Sequence, residues 1–373
     1  MKTKKIKICI VIGTRPEIIK MGPVIKECQQ KDLDFFVIHT GQHYSYNMDK
    51  IFMEELNLPD PKYNLAVGSS SHGNQTAKMI EGIEKILIEE QPYVVLVQGD
   101  TNSVLAGAIA ASKLGIKVGH IEAGLRSYDR NMPEEINRII TDNIADYLFA
   151  PTDMTKDILI KENISKKKIF NVGNTIVDAV NYNIKNCKFE SELFKKLNLL
   201  SKEYILITSH RAENVDNEKK LEDLILGINK VQNISNLKAV WPMHPRTLAN
   251  IKKFNLENKL KSILNLFVIE PVGYFDSLNL QKNAKIILTD SGGIQEEACV
   301  LNVPCITLRD NTERPESLMT GGNLLTGTNS KKILSAYKQL ILINKKWKNP
   351  FGDGKSAVKI IKILEKEFNK NNI

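Results

Sequence analysis

Residues 285–297 read Lys285-Ile286-Ile287-Leu288-Thr289-Asp290-Ser291-Gly292-Gly293-Ile294-Gln295-Glu296-Glu297. A short β-branched and aliphatic run passes without a spacer into a Ser-Gly-Gly turn and then a helix start, the step that feeds a parallel sheet. The same step recurs on both sides of it. Tyr204–Thr208, Ala239–Met243, Leu266–Glu270 and Pro304–Leu308 are further strand candidates. The first half offers Lys7–Ile12, Phe35–His39, Val94–Gln98, Val118–Glu122, Tyr147–Ala150 and Ile169–Val172. Helical patterns at Pro16–Gln29, Gln75–Glu89, Asn102–Leu114 and Glu134–Ala145 lie between them. Strands alternating with amphipathic stretches give an α/β fold.

A chain of 373 residues exceeds the size at which one core stops growing, so two domains are expected. The pattern restarts after a polar stretch, Asn181 to Lys202. The expected organisation is two doubly wound, Rossmann-like domains facing across a cleft, residues 1–178 and 179–350. Residues 351–373, with an amphipathic run from Ser356 to Phe368, would cross back to the first domain, and Asn369 to Asn372 read as an unstructured tail.

Apolar content of 42% and charged content of 25% are ordinary for a soluble α/β protein. No apolar run approaches a membrane span, and the basic N-terminus leads into a strand, not a signal peptide, so a cytoplasmic location is expected. The net charge of +9 raises nucleic-acid binding. The lysines are scattered, however, and no aromatic platform interleaves them, so the excess reads as a solvated surface that suits small anions. Cys9, Cys28, Cys187, Cys299 and Cys305 show no metal-ligand spacing and read as small buried hydrophobes. With no Walker motif, no GxGxxG and no HExxH, neither a nicotinamide cofactor nor a metal is expected.

In open parallel sheets, ligands collect at the carboxyl ends of the strands. Here those ends carry Gly13-Thr14-Arg15, Thr40-Gly41-Gln42-His43, Gly99-Asp100-Thr101, Glu122-Ala123-Gly124, Ser209-His210-Arg211, His244-Pro245-Arg246 and Asp290-Ser291-Gly292-Gly293. Such a concentration of His, Arg, Asp and Glu points to a catalytic cleft. Ser291 and Gly292 open a helix whose free amides suit a diphosphate, and Glu297, a turn inside, suits ribose hydroxyls. Without Glu297, a tight turn with a serine cap explains Ser291 and Gly292 about as well. Arg15 and Lys20 form a second anion-type loop, against which stands a surface pair of Arg15 with Glu17. Asp100 and Glu122 end apolar runs, where a carboxylate needs partners or a task. Glu134, behind Pro133, reads on its own better as ordinary helix-opening chemistry. His210 suits proton transfer near neutral pH.

Taken together, Gly13 to Glu17 with Lys20, Gln98 to Thr101, His120 to Arg126, Pro133 to Arg138, Val172 to Asp178, His210-Arg211, Thr289 to Glu297, Asp310 to Glu316 and Gly352-Asp353-Gly354 closely resemble the non-hydrolysing UDP-N-acetylglucosamine 2-epimerases. The resemblance covers essentially the whole chain. It implies a glycosyltransferase-B-type architecture, a homodimer, no redox cofactor and a UDP-sugar substrate. It also implies a reaction that eliminates UDP across C1–C2 to 2-acetamidoglucal and adds it back with C2 inverted, in a site that closes against water. Carried over by position, Asp100, Glu122, Glu134 and His210 are the catalytic set, and Arg15, Lys20, Ser291, Gly292, Glu297 and Arg314 hold the substrate.

Departures at Ser127 to Met132 and at Tyr44 point toward a branch whose relatives act on UDP-2,3-diacetamido uronic acids. They bear on the sugar and on a regulator pocket near Gln42, His43 and His244, but Arg15-Pro16-Glu17 and Glu313 to Glu316 favour plain UDP-N-acetylglucosamine, which ranks first. Rival classes are a hydrolysing epimerase, a UDP-sugar glycosyltransferase and a non-catalytic sensor.

Overall fold

The computed structural model describes residues 5–42, 46–186, 191–344 and 346–371. The chain divides into two units, Met1–Tyr182 with Phe351–Ile373, and Asn183–Pro350. In chain order the elements begin β1 (Lys7–Ile12), α1 (Arg15–Gln30), β2 (Asp34–His39), α2 (Tyr46–Glu55), β3 (Tyr63–Asn64), α3 (His72–Glu90), β4 (Val94–Gln98), α4 (Asn102–Lys113) and β5 (Lys117–Ile121). They continue α5 (Pro133–Ile144), β6 (Tyr147–Ala150), α6 (Asp153–Lys161), β7 (Ile169–Asn171), α7 (Thr175–Asn183), α8 (Glu192–Leu197), β8 (Tyr204–Thr208), α9 (Ala212–Val215), α10 (Glu218–Ser235) and β9 (Lys238–Pro242). Next come α11 (Pro245–Lys253), α12 (Glu257–Lys261), β10 (Leu266–Ile269), α13 (Tyr274–Asn283), β11 (Ile286–Thr289), α14 (Gly292–Val300) and β12 (Cys305–Thr307). The chain ends with α15 (Pro315–Met319), β13 (Asn323–Leu325), α16 (Ser330–Leu340) and α17 (Ser356–Asn371).

The first unit holds a seven-stranded sheet in the order β3-β2-β1-β4-β5-β6-β7, and the second a six-stranded sheet, β10-β9-β8-β11-β12-β13. Every strand pair is parallel. Both sheets are doubly wound, because strand order reverses once in each, between β1 and β4 and between β8 and β11.

Side-chain alternation explains why both faces need cover. Cys9, Val11, Val95 and Val97 point to one face of the first sheet, where they meet Met79 and Ile83 of α3 and Val104, Ala108 and Ala111 of α4. Gly107 lets α4 lie close, since a Cβ there would stand 3.0 Å from Val97. In the second sheet, Ile205, Ile207, Trp241 and Leu288 pack under α10 and α16, while Leu206, Val240 and Ile287 pack under Phe194 and Leu197 of α8. Each such aliphatic side chain contributes roughly 1.5–3 kcal/mol when fully buried.

α17 packs along α1 within the first unit. Its start is held by Asp178, whose carboxylate accepts from the Ser356 and Ala357 amides at 3.1 and 2.9 Å. Farther along, Phe368 meets Tyr93 edge-on at 4.9 Å. Contrary to the expected tail, the helix continues through Asn371, with Phe368 buried at its far end.

Two strands, β3 and β13, were invisible as apolar runs because they span only two and three residues. The polar stretch 181–202 contains α8, whose apolar residues face the core. β5 stops at Ile121, one residue short of expectation, because Glu122 adopts a left-handed conformation with φ of 70°. Among the described residues no helix is long and apolar enough to cross a membrane.

Candidate active site

In the first unit the reversal between β1 and β4 brings the turn after β1 against the turn after β4. Glu17, in the first turn of α1, folds back on both. Its Oε2 accepts from the Gly13 and Thr14 amides at 2.5 and 2.9 Å, and Thr101 Oγ1 donates to its Oε1. The surface pair of Arg15 with Glu17 is therefore not what forms, and these two loop amides are already taken by an internal carboxylate. Burial is the main influence on Glu17 and pushes it up to about 7, against its three hydrogen-bond donors. Arg15 instead lies 4.9 Å over the Phe52 ring.

One turn farther along α1, Lys20 donates to Glu122 Oε1 at 2.5 Å. Both are nearly inaccessible, at 5% and 4% relative exposure. The backbone at Glu122 is itself strained, since a left-handed non-glycine residue costs about 1–2 kcal/mol. Such strain recurs at functional sites, where surrounding bonds hold it.

Asp100 sits on the neighbouring turn, partly exposed. Arg138 of α5 donates to its Oδ2 through both Nε, at 2.9 Å, and Nη2. Asn137, also on α5, donates to the Asp100 carbonyl at 2.9 Å. α5 thus clamps the Asp100 turn with two consecutive side chains, a role the sequence motif did not separate from the catalytic set.

The adjacent residues Glu134 and Glu135 take opposite parts. Glu135 is buried and accepts from the Ser127 and Tyr128 amides, both at 2.9 Å, and from Arg138 at 2.7 Å. Glu134 is half-buried and makes no ion pair or side-chain hydrogen bond among the described residues. Of the pair, Glu134 has its carboxylate free for chemistry.

Behind these turns lies a fully buried histidine. His120 Nδ1 is 2.7 Å from Asp142 Oδ1, and its Nε2 is 2.9 Å from the Gly99 carbonyl. Gln42 is buried in the same unit. Its Oε1 accepts from the Ser103 amide and hydroxyl at 3.0 and 2.7 Å, so it has a structural task beside any regulatory one. His43 lies outside the described residues, as does Cys187.

The second unit repeats the plan at its own reversal, between β8 and β11. Asp290 is fully buried. It accepts from the Ser209 hydroxyl at 2.8 Å, from the His210 and Arg211 amides at 3.0 Å each, and from Asn214 at 3.2 Å. It shapes the loop that presents His210, whose side chain is 46% exposed. The His210 ring stands 5.6 Å from that of His244, which caps α11 by accepting from the Arg246 amide. Asp290 and Arg138 are the positioning residues that the sequence reading missed. For Asp290 the available signal was a charged residue ending an apolar strand.

Ser291 caps α14, its hydroxyl accepting from the Ile294 amide at 3.5 Å. The Gly292 and Gly293 amides ahead of it donate to no acceptor among the described residues. A helix start with open amides is a ready anion site. A Cβ at Gly292 would lie 2.9 Å from Glu313 Oε1, so a side chain there would have to displace that carboxylate. Glu297 is buried and accepts from Gln281 at 2.6 Å. Arg314 pairs with fully buried Glu296.

The first unit thus presents two cation-paired carboxylates and a third with no partner among the described residues, groups able to take and return protons. The second presents a histidine and open helix amides, able to hold an oxyanion. Among the described residues no group of His, Cys, Asp or Glu side chains is arranged to hold a metal ion.

Comparison with known proteins adds to this geometry. The profile of the family described as UDP-N-acetylglucosamine 2-epimerase matches residues 26–365. A UDP-N-acetylglucosamine 2-epimerase from Methanocaldococcus jannaschii is 56% identical over 362 residues, covering 96% of this chain and 98% of that one. The crystal structure of the Methanocaldococcus jannaschii UDP-GlcNAc 2-epimerase in complex with UDP-GlcNAc and UDP matches with a TM-score of 0.90 at 55% identity, covering 96% of this chain and 99% of that one. A UDP-2,3-diacetamido-2,3-dideoxy-D-glucuronate 2-epimerase from Pseudomonas aeruginosa is 42% identical over 325 residues, covering 86% of this chain and 88% of that one. With a profile match along most of its length and a relative more than half identical over nearly all of it, the chain belongs to the UDP-N-acetylglucosamine 2-epimerase family.

Proposed function

We propose that this enzyme interconverts UDP-N-acetylglucosamine and UDP-N-acetylmannosamine without releasing the free sugar. The observation that carries the reading is the carboxylate set after β4 and β5, with Asp100 held by Arg138, Glu122 held by Lys20, and Glu134 left without a partner. The substrate follows from the Methanocaldococcus jannaschii relative, whose crystal structure is in complex with UDP-GlcNAc and UDP.

The chemistry explains why several acids are needed. The C2 proton has no neighbouring carbonyl to acidify it. Breaking the C1–O bond first sends its electron pair out with UDP and leaves oxocarbenium character at C1. A carboxylate then takes the C2 proton, giving 2-acetamidoglucal. Re-addition of UDP at C1, with a proton delivered to the opposite face of C2, completes the inversion. In this division of labour Asp100, Glu122 and Glu134 stabilise the cation and exchange the proton. His210 supports the leaving diphosphate. Arg15, Lys20, Ser291, Gly292, Glu297 and Arg314 hold the UDP-sugar, with no redox cofactor.

Four buried thiols, Cys9, Cys28, Cys299 and Cys305, suit a reducing compartment, in keeping with the cytoplasm. Ile136 and Ile140, one turn apart on α5 and 42% and 37% exposed, give a homodimer an apolar seam.

The test is proton NMR of the protein with UDP-N-acetylglucosamine in deuterated buffer. UDP-N-acetylmannosamine with deuterium at C2 in both epimers, and no free sugar, supports the proposal. Free N-acetylmannosamine with UDP would assign a hydrolysing enzyme instead. The Pseudomonas aeruginosa relative favours a second substrate, the UDP-diacetamido uronic acid. Exchange at C2 of that sugar alone would make it the substrate.

A further inference from the structure

His120 is wholly buried on β5, two residues before Glu122, and both ring nitrogens face acceptors. Nδ1 lies 2.7 Å from a carboxylate oxygen of Asp142, and Nε2 lies 2.9 Å from the carbonyl of Gly99. A neutral imidazole carries one N–H and would leave a lone pair against one of these oxygens. The ring meets both only as an imidazolium.

The surrounding charges fit that state. Burial alone would push Asp142 up, but His120 and Arg126 hold its carboxyl below the ordinary value. Arg126 Nη1 lies 2.8 Å from Asp142 Oδ2, and Glu162 in turn pairs with Arg126 at 2.5 Å. Two cations and two anions balance.

The geometry of this cluster reaches both catalytic turns. The Gly99 carbonyl belongs to the turn that presents Asp100. Asp142 Oδ2 accepts from the Gly124 amide at 3.1 Å, in the turn that presents Glu122. Gly99 and Gly124 take their left-handed φ of 86° and 84° freely, whereas Glu122 at 70° is strained and holds that conformation only while its surroundings tie it. A buried ion pair is weak evidence for stability as such, because desolvation offsets its attraction.

We propose that His120 is a positioning residue: as a buried imidazolium it ties the Asp100 turn to the Glu122 turn and sets the spacing of the two carboxylates. The inference rests on Asp100 and Glu122 being among the carboxylates that stabilise the cation and exchange the C2 proton.

Two amide substitutions separate the bonds. In His120→Asn the side-chain amide reaches the Nδ1 place and keeps the bond to Asp142 but not that to Gly99. In His120→Gln the amide reaches the Nε2 place and keeps Gly99. Misplacement by about 1 Å costs on the order of 100-fold in rate, so H120N should lose about that factor in kcat while KM shifts by less than about threefold. H120Q cuts the other end of the tie and should lose kcat by a similar factor. The proposal fails if H120N turns over within about threefold of wild type. It also fails if both variants lose kcat only in proportion to their lost UDP-binding capacity, which is what a purely structural role would give.

Should neither variant fold, nitrogen NMR of histidine-labelled wild-type enzyme decides, since one unprotonated nitrogen on His120 would overturn the imidazolium. Asp100→Asn, run alongside, keeps the two claims apart. If it still exchanges the C2 proton, the catalytic assignment is what has failed.

Discussion

Replacing Lys20 with methionine should unfold the first unit far more readily than removal of a surface lysine would. The two charges lie 2.5 Å apart with side chains 6% and 2% exposed. At an effective dielectric of about 20 the gross attraction is about 7 kcal/mol, and desolvation of both ions cancels most of it. Lys20→Met removes the attraction and leaves the Glu122 carboxylate buried without its cation, which costs about 3–5 kcal/mol. The double variant K20M/E122M buries two apolar chains instead and should return to within about 1 kcal/mol of wild type.

The probe has to be chosen by unit. Trp241 and Trp347 both belong to residues 183–350, so tryptophan fluorescence reports the second unit. The first unit is followed by hydrogen exchange of the β1, β4 and β5 amides in urea. Their unfolding midpoint should fall by roughly 1–2 M in K20M, while the fluorescence transition stays in place. A K20M midpoint within about 0.3 M of wild type, or a double variant weaker than K20M, would refute the buried-pair reasoning.

Glu17 makes stability depend on pH with a definite sign. Its folded value of about 7 lies above the ordinary 4.5, so its favourable contribution is complete below 4.5 and is lost as pH rises through about 7. The loss amounts to roughly 3 kcal/mol. Urea midpoints of the first unit at about pH 5 and pH 8 should diverge in wild type and converge in Glu17→Gln, and equal divergence in both would contradict this. Asp290→Ala removes the acceptor for the Ser209, His210, Arg211 and Asn214 donors, so kcat should fall by about 100-fold with His210 still present, as steady-state kinetics would read. Glu134→Gln should abolish turnover yet leave stability within about 0.5 kcal/mol, whereas Glu135→Gln should lower stability by about 1–3 kcal/mol, both read by urea melts beside the kinetic assay.

The sheets were legible because parallel strands buried on both faces must be written as apolar runs, and Val94–Gln98 or Tyr204–Thr208 can be read in almost no other way. β3 and β13 were not, since Tyr63-Asn64 and Asn323-Leu324-Leu325 are too short to carry a pattern. The placement of polar residues at strand ends was likewise readable, while their partners were not. Glu17 looked like a helix-opening residue, and nothing local says that it turns inward to Thr101. Glu134 and Glu135 are neighbours on one helix, and only tertiary packing decides which meets Arg138. Asp290, Arg138 and His120 all stood inside recognised tracts, yet their tasks are bonds to residues distant in sequence, from 21 to 81 positions away.

Positional isotope exchange tests the central mechanism most directly. UDP-N-acetylglucosamine carrying oxygen-18 in the bridge between C1 and the β-phosphate is incubated with the enzyme and recovered. Elimination frees the β-phosphate to rotate before UDP adds back, so the label should scramble into the non-bridging positions at a rate comparable to C2 exchange. A label that stays in the bridge while deuterium enters C2, with neither UDP nor 2-acetamidoglucal found when the turning-over enzyme is quenched, would contradict elimination.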